Sequence, residues 1–185
     1  MKHFKPISLV ILLAGIYGLL YHSFHINMLE GMISISGTGQ EYTDVQSFLV
    51  KLNSWMGEHY AIVALLQLPV AALGTFLAFL NRGYNYVEHF ILNAFLTAQS
   101  LIMHIVLFPL TYIFNEKPAL RTLTIIENVL SIALVVWVLL QFFSGYKKSS
   151  TFWRTMLSFI IYTFLYLVLF IVTGTIIYYV RKTGS

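Results

Sequence analysis

The chain of 185 residues contains no cysteine and few charged residues. The absence of cysteine excludes disulfide bonds, thiolate metal sites and a cysteine nucleophile, so a bound metal would need histidine and carboxylate ligands. Only 10% of the residues are charged, whereas 58% are hydrophobic and 16% are aromatic. A soluble domain is about 25% charged and about 45–50% apolar. The composition therefore excludes a soluble monomer and a disordered chain, and it predicts an integral membrane protein.

Several motifs of common enzymatic chemistry are also missing. The sequence has no glycine-rich phosphate loop, no GxSxG nucleophile elbow and no HExxH zinc motif. Its 11 basic residues outnumber its 7 acidic ones, but they are scattered in ones and twos rather than in a run that would bind nucleic acid. These absences favour a protein that is not an enzyme, and whose partners are lipid and other membrane proteins or further copies of itself.

Five stretches are long and apolar enough to form transmembrane helices. They cover about 7–24, 60–80, 88–114, 119–143 and 152–180. The sequence thus predicts an all-α fold, a polytopic helical membrane bundle of about five spans in one domain. Lys2 and Lys5 precede the first span, as in a signal peptide, but no small-residue cleavage pattern follows its apolar core. We therefore expect an uncleaved anchor.

The connection between the first two spans is long, from about His25 to His59. In its second half, apolar residues recur at helical spacing, and Thr43 with Gln46 can form a capping box. An amphipathic helix is predicted at about 43–57. It lies either in the membrane interface on the outer side or against the protein's own spans.

Basic residues near the span ends set the expected orientation. With a cytoplasmic N-terminus, the inner segments carry six of them and the outer segments five. The inner residues are Lys2, Lys5, Arg82, Lys147, Lys148 and Arg154, and the outer ones are Lys51, Lys117, Arg121, Arg181 and Lys182. We predict this orientation because the first span often dominates, and because it leaves the acidic long loop outside.

Polar residues within the spans are the best candidates for a site. An ionisable side chain costs about 2.5–3.5 kcal/mol in hydrocarbon, so it usually faces the protein interior. On the third span the polar residues fall within roughly an 80° sector of the helix. This polar stripe comprises His89, Asn93, Thr97, Ser100, His104 and Thr111. On the fourth span, Thr124, Glu127, Asn128 and Ser131 are predicted to share a face.

The third and fourth spans form a hairpin that turns near Glu116, so residues equally far from the turn are level. His104 lies twelve residues before the turn and Glu127 eleven after it, which predicts contact between them. By the same count, Ser100 and Ser131 meet about one helical turn deeper. A histidine and a glutamate can share a proton, which lowers the cost of burying either. The pair is interpreted either as packing or as a relay for protons or ions.

A second group gathers at the outer ends of the first two spans. It comprises His22, His25, Glu58 and His59. Three histidines and a carboxylate are ligands that zinc accepts, so an intramembrane metal enzyme is one hypothesis. The alternative is that these histidines only anchor the helix ends in the interface.

The turn between the second and third spans has the sequence FLNRGYNYVEHFILNA, residues 79–94. Its motif is a basic turn, an aromatic pair and an acidic residue with histidine at the start of a helix. The motif residues are Arg82, Tyr84, Tyr86, Glu88 and His89. Glu88 suits the positive end of the helix dipole and can accept unpaired backbone donors, and Arg82 is near enough for an ion pair. A structural cap is therefore favoured over a binding site.

This motif resembles the family of bacterial membrane proteins known as domain of unknown function 3667. A looser likeness extends from the first span to the fourth. Many members carry an N-terminal zinc ribbon with paired cysteines, so the resemblance implies a form without the ribbon. It also implies a bacterial inner membrane, but no established activity that could be carried over.

Three functions remain open from the sequence. The favoured one is a non-enzymatic accessory protein or complex subunit that packs laterally with partner chains or with itself. The second is a small transporter or proton-linked channel that uses His104 and Glu127. The third is the metal enzyme, for which zinc is the expected cofactor; the first two need none.

Overall fold

The computed structural model describes residues 6–24, 55, 59–115, 117 and 119–183. Within these residues the chain is helical apart from short turns and contains no strand, which confirms the all-α prediction. The helices are α1 (Pro6–Ser23), α2 (Tyr60–Ala78), α3 (Tyr86–Ile113), α4 (Ala119–Phe142) and α5 (Lys148–Thr183).

Four helices are long and apolar enough to cross a membrane, namely α2, α3, α4 and the Lys148–Thr173 part of α5. The apolar part of α1, Pro6–Leu20, is shorter. The whole of α1 measures about 27 Å, against about 30 Å for the hydrocarbon core. Of the five predicted spans, four therefore have the required length and the first is a shorter apolar helix. These features fit an integral, multi-pass membrane protein.

Helix α5 begins at Lys148, four residues before the predicted start near 152. Its first turn is polar, so a search for apolar stretches does not detect it. A hydrogen bond from Arg82 Nη2 to Ser150 Oγ, 2.8 Å long, holds this turn. The helix has 36 residues and measures about 54 Å, so it is longer than a hydrocarbon core of about 30 Å is thick. The predicted span of 152–180 was also longer than this core.

The predicted amphipathic helix at about 43–57 lies outside the described residues, except for Trp55. The Trp55 indole is exposed and stacks on the His59 imidazole, with ring centroids 4.7 Å apart. The Trp55 carbonyl also accepts a 3.0 Å hydrogen bond from the His59 backbone amide.

The chain divides into two compact units. Unit one comprises residues 1–66 and 94–135, and unit two comprises residues 67–93 and 136–185. In unit one, α1 buries Val10, Ala14 and Tyr17, which share one helical face. The Tyr17 ring meets Tyr60 edge to face, with centroids 4.8 Å apart, and fixes α1 against the start of α2.

Unit two is held by aromatic stacking and by one close approach of helices. The rings of Phe79 and Phe143 are nearly parallel, with centroids 4.1 Å apart. Gly74 lies so near α5 that a Cβ atom there would be 3.3 Å from the Ser158 carbonyl oxygen and from Tyr162 Cβ. The absence of a side chain at this position therefore lets α2 and α5 pack backbone to backbone.

The turn between α2 and α3 has a defined backbone. Asn81 and Gly83 have positive φ angles of 70° and 77°, a conformation that suits asparagine and glycine. Asn85 Oδ1 accepts from the Glu88 amide at 3.0 Å, while Glu88 Oε2 accepts from the Asn85 amide at 2.7 Å. This reciprocal capping box starts α3, so Glu88 acts as a helix cap.

Candidate functional site

The first candidate site is the pair His104 and Glu127 on α3 and α4 in unit one. His104 Nδ1 lies 3.6 Å from Glu127 Oε2, and the two side chains are 21% and 10% exposed. The hairpin register had placed these residues level with one another. They form the single ion pair found in the part of the chain that the structure describes, and it is charged only if the histidine is protonated.

Thr111 and Tyr17 complete the surroundings of this pair. The Thr111 hydroxyl, about two helical turns from His104 along α3, donates to Glu127 Oε1 at 3.2 Å. On the other side, the Tyr17 ring lies against the His104 ring, with centroids 5.7 Å apart. His104 Nδ1 is buried and makes no hydrogen bond, because 3.6 Å is too long for one. A small movement of either side chain would close this gap.

The neighbouring polar residues differ in their packing. Ser100 Oγ and Ser131 Oγ are 3.1 Å apart and hydrogen-bonded, and Thr97 is half-buried. The Thr124 hydroxyl donates to the Leu120 carbonyl of its own helix at 3.0 Å. Asn128, however, is exposed and does not join the pair. Since it directly follows Glu127, it points about 100° away around the helix.

A second polar cluster lies in unit two and centres on Thr75, which the sequence analysis did not select. Asn93 Nδ2 donates to Thr75 Oγ1 at 2.7 Å and to the His89 carbonyl at 2.8 Å. His89 Nδ1 is 3.2 Å from the same hydroxyl. All three side chains are buried. The available signal was the turn centred on Arg82, because Thr75 lies seven residues before it and His89 seven residues after it.

Aromatic rings surround the His89 imidazole. Its centroid lies 5.8 to 6.5 Å from those of Phe76, Phe79, Tyr84 and Phe143. His89 Nε2 is buried without a hydrogen-bond partner. With Nδ1 bound to Thr75, this arrangement fixes the ring at the junction of three helices.

The turn motif is explained by structural contacts. The Tyr86 hydroxyl donates to the Pro69 carbonyl at 3.1 Å, and the Tyr84 ring lies 4.9 Å from that of Phe142. The expected ion pair between Arg82 and Glu88 is not formed. Glu88 Oε2 accepts from the Asn85 amide, and the Arg82 guanidinium instead binds Ser150.

Two of the four proposed zinc ligands, His22 and His59, lie within the described residues. His25 and Glu58 lie outside the described residues. His22 is exposed at the end of α1, and His59 Nδ1 lies 3.0 Å from the Trp55 carbonyl oxygen, which occupies one ring nitrogen. The described ranges contain no group of three or more potential metal ligands. The zinc hypothesis therefore stays a prediction.

No family model, no curated protein and no solved structure matches this chain. The likeness of residues 79–94 to domain of unknown function 3667 thus stays a prediction that these comparisons do not test. The function has to be argued from the side chains and the surfaces of the helices.

Proposed function

We propose that this protein is a non-enzymatic membrane subunit that associates laterally through the exposed face of α4. The face is defined by Ile125, Asn128 and Ile132. The residue that carries the proposal is Asn128, a polar side chain on a membrane helix that is turned away from its own chain.

Most of the surface of α4 is exposed, as is that of α5. In its apolar window 11% of the residues are buried, against 33% in the corresponding window of α3. Ile125 and Ile132 are 54% and 50% exposed. Lipid alone could cover these two side chains, so the apolar exposure by itself does not require a protein partner.

Asn128 changes this conclusion. It lies about 14 Å from the start of a helix about 36 Å long, near the middle of a hydrocarbon core of about 30 Å. Its side chain is exposed and makes no hydrogen bond within the described part of the chain. An amide that faces lipid without a hydrogen-bond partner costs several kcal/mol. A partner helix that supplies a donor and an acceptor removes this cost.

A second copy of the chain suits this surface best. A carboxamide contains both a donor and an acceptor, so two Asn128 side chains related by a two-fold axis can hydrogen-bond to each other. Ile125, Asn128 and Ile132 follow the 3, 4 spacing of a helix seam, in which one buried asparagine fixes the register. The accessory role then follows from a packing surface that holds chains together.

The proposal is tested by replacing Asn128 with an apolar residue of similar size. Asn128→Leu removes the hydrogen bond, so the association constant of purified chains in bilayers should fall about 5- to 30-fold. Energy transfer between donor- and acceptor-labelled chains, measured while lipid dilutes the protein, gives this constant. Asn128→Gln keeps the carboxamide and should keep most of the association.

Leu130→Ile is the matched control, because Leu130 is 46% exposed on the same helix and lies about 160° around it from Asn128. It should leave the constant unchanged. A monomeric wild-type chain at every dilution would contradict the second copy as partner. An Asn128→Leu chain that associates as well as the wild type would contradict the face itself.

A proton relay through His104 and Glu127 is the second candidate function. It is favoured by the 3.6 Å separation of Nδ1 and Oε2 and by the buried nitrogen without a hydrogen bond. In this function the carboxyl group would accept a proton from the imidazole and pass it on. Glu127→Gln would then stop proton movement.

The cellular setting belongs to the same proposal. The chain resides in a bacterial inner membrane with its N-terminus in the cytoplasm. This setting is supported by the resemblance of residues 79–94 and by the count of six inner against five outer basic residues.

A further inference from the structure

Four basic residues from two separate stretches of the sequence come together in unit two. Arg82 belongs to the turn between α2 and α3, whereas Lys147, Lys148 and Arg154 lie at or near the start of α5. The sequence alone suggested scattered charges. We call this group the basic cluster.

Arg82 joins the turn between α2 and α3 to the connection between α4 and α5. Its Nη2 donates to Ser150 Oγ at 2.8 Å, and its Cζ atom lies 3.9 Å from the centre of the Tyr146 ring. The Tyr146 hydroxyl in turn donates to the Arg82 carbonyl at 3.1 Å. The guanidinium is thereby held against the segment that carries Lys147 and Lys148, and its other N–H groups make no hydrogen bond within the described residues.

Arg154 has a different role. Its Nη1 donates to the Ala78 carbonyl at 2.8 Å and to the Leu80 carbonyl at 3.3 Å. These carbonyls belong to the C-terminal end of α2 and to the residues after it, where a cation is stabilising. Arg154 therefore positions the turn that carries Arg82.

The positive charge of the basic cluster is not balanced by its own unit. Glu88 is the one acidic residue of unit two, so four cations minus one carboxylate leave a charge of +3 among its described side chains. The Glu88 carboxylate is occupied by the capping box. Lys147 and Lys148 are exposed and have no partner within the described residues.

The position of Lys147 and Lys148 makes the uncompensated positive charge more unfavourable. They flank the first turn of a 36-residue helix, where the positive end of the helix dipole disfavours cations. Two lysines and an arginine beside this helix end repel one another and the positive end of the dipole, and a bound anion would relieve this repulsion. The arrangement therefore favours an anionic ligand.

We propose that the basic cluster binds the phosphate group of an anionic phospholipid. Arg82 supplies guanidinium donors, and Lys147 and Lys148 supply mobile ammonium groups. The source is a lipid because large apolar side chains lie next to the cluster. Phe152 and Trp153 in the first turns of α5 are 40% and 68% exposed, as expected for residues that contact acyl chains and headgroups.

The quenching of tryptophan fluorescence tests this proposal. The chain has 3 tryptophans, so Trp55→Phe with Trp137→Phe leaves Trp153 as the reporter beside the cluster. The full chain is reconstituted in bilayers of phosphatidylcholine mixed with brominated phosphatidylglycerol, or in bilayers in which the choline lipid is brominated instead. Quenching of Trp153 gives the relative affinity of the anionic over the zwitterionic lipid.

The anionic lipid should bind at least about fivefold more tightly than the zwitterionic lipid. Lys147→Gln with Lys148→Gln should bring the ratio close to one. Both lysine side chains are exposed and make no hydrogen bond or ion pair within the described residues, and the backbone bond from the Thr151 amide to the Lys147 carbonyl is kept, so this variant should keep the fold. Arg121→Gln removes one exposed charge from unit one and should leave the ratio unchanged.

Three results would overturn the proposal. One is a wild-type ratio near one, and another is a ratio that the two lysine substitutions leave unchanged. The third is full displacement of the brominated anionic lipid by inorganic phosphate in the buffer, which would assign the cluster to a soluble anion. Retention of the ratio in phosphate supports the lipid.

Discussion

Glu127 has two polar neighbours, and a loss of its charge would affect its interaction with each of them differently. Thr111 donates to Oε1, and a neutral amide oxygen accepts this bond equally well. His104 lies 3.6 Å from Oε2 and gains from the negative charge only when it is protonated. Substitutions at this residue can therefore separate packing from proton transfer.

We expect Glu127→Gln to preserve the fold and to abolish any proton relay. The amide keeps the bond with Thr111, so the free energy of unfolding should change by about 0.6 kcal/mol or less, as for other hydrogen bonds between membrane helices. Unfolding in mixed detergent micelles measures this change. A pH-sensitive dye inside proteoliposomes measures proton entry with and without a membrane potential.

Ser131→Ala provides the matched control, since it removes the 3.1 Å bond to Ser100 on the same pair of helices and has no titratable group. It should show a similar small effect on unfolding and none on proton entry. If the wild-type chain admits no more protons than empty vesicles, the relay is excluded and the pair serves packing alone.

Individual residues also show how much of the site could be predicted from the sequence. His104 and Glu127 belong to a hairpin with a short turn, so counting from the turn fixes their level. Thr75 and His89 are likewise level, seven residues before and seven after Arg82 in the turn. A lone hydroxyl in an apolar helix does not by itself indicate a site, because it can donate to its own backbone, as Thr75 does to the Ala72 carbonyl. Asn128 was predicted on the same face as Glu127, but the two lie at opposite edges of that face, and only Glu127 is buried.

At the scale of helices, the contact between α2 and α5 depends on Gly74. The nearest atoms to a Cβ at this position are the Ser158 carbonyl oxygen and the Tyr162 backbone nitrogen and Cβ, all at 3.3 Å. Backbone atoms cannot rotate away as the end of a side chain can. A larger residue must therefore push the two helices apart.

Gly74→Ala should destabilise the protein by about 1 kcal/mol, and Gly74→Leu by about 3 kcal/mol or more, because both overpack the contact. The midpoint of thermal unfolding in detergent should fall in the same order. Gly15→Ala is the control, since a Cβ there meets nothing within 4 Å. Equal midpoints for the Gly74→Leu and wild-type chains would show that α2 and α5 do not pack this closely.

The helices themselves were largely predictable, because apolar length alone identifies α2, α3 and α4. Their polar ends were not. The first turn of α5 is bound through Ser150 by Arg82, which lies 68 residues earlier in the sequence. The same bond explains why Arg82 does not pair with Glu88, which is nearer in sequence but is already bound by Asn85.

At the scale of the whole molecule, the orientation of the chain determines which side of the membrane each connection faces. The sequence alternates spans and connections, so the connection after α3 and the connection after α4 should face opposite sides. With a cytoplasmic N-terminus, the connection that contains Ser144 faces the cytoplasm. The connection that contains Lys117 faces outward.

Single cysteines test this orientation directly, because the chain has no cysteine of its own. Ser144 and Lys117 are both exposed, so Ser144→Cys and Lys117→Cys should fold and react with a maleimide. On intact cells, a maleimide that cannot cross the membrane should label Lys117→Cys at once and Ser144→Cys only after permeabilisation. The reverse pattern would show that the N-terminus is outside. Immediate labelling of both would show that α4 does not cross the bilayer, and would contradict the multi-pass arrangement.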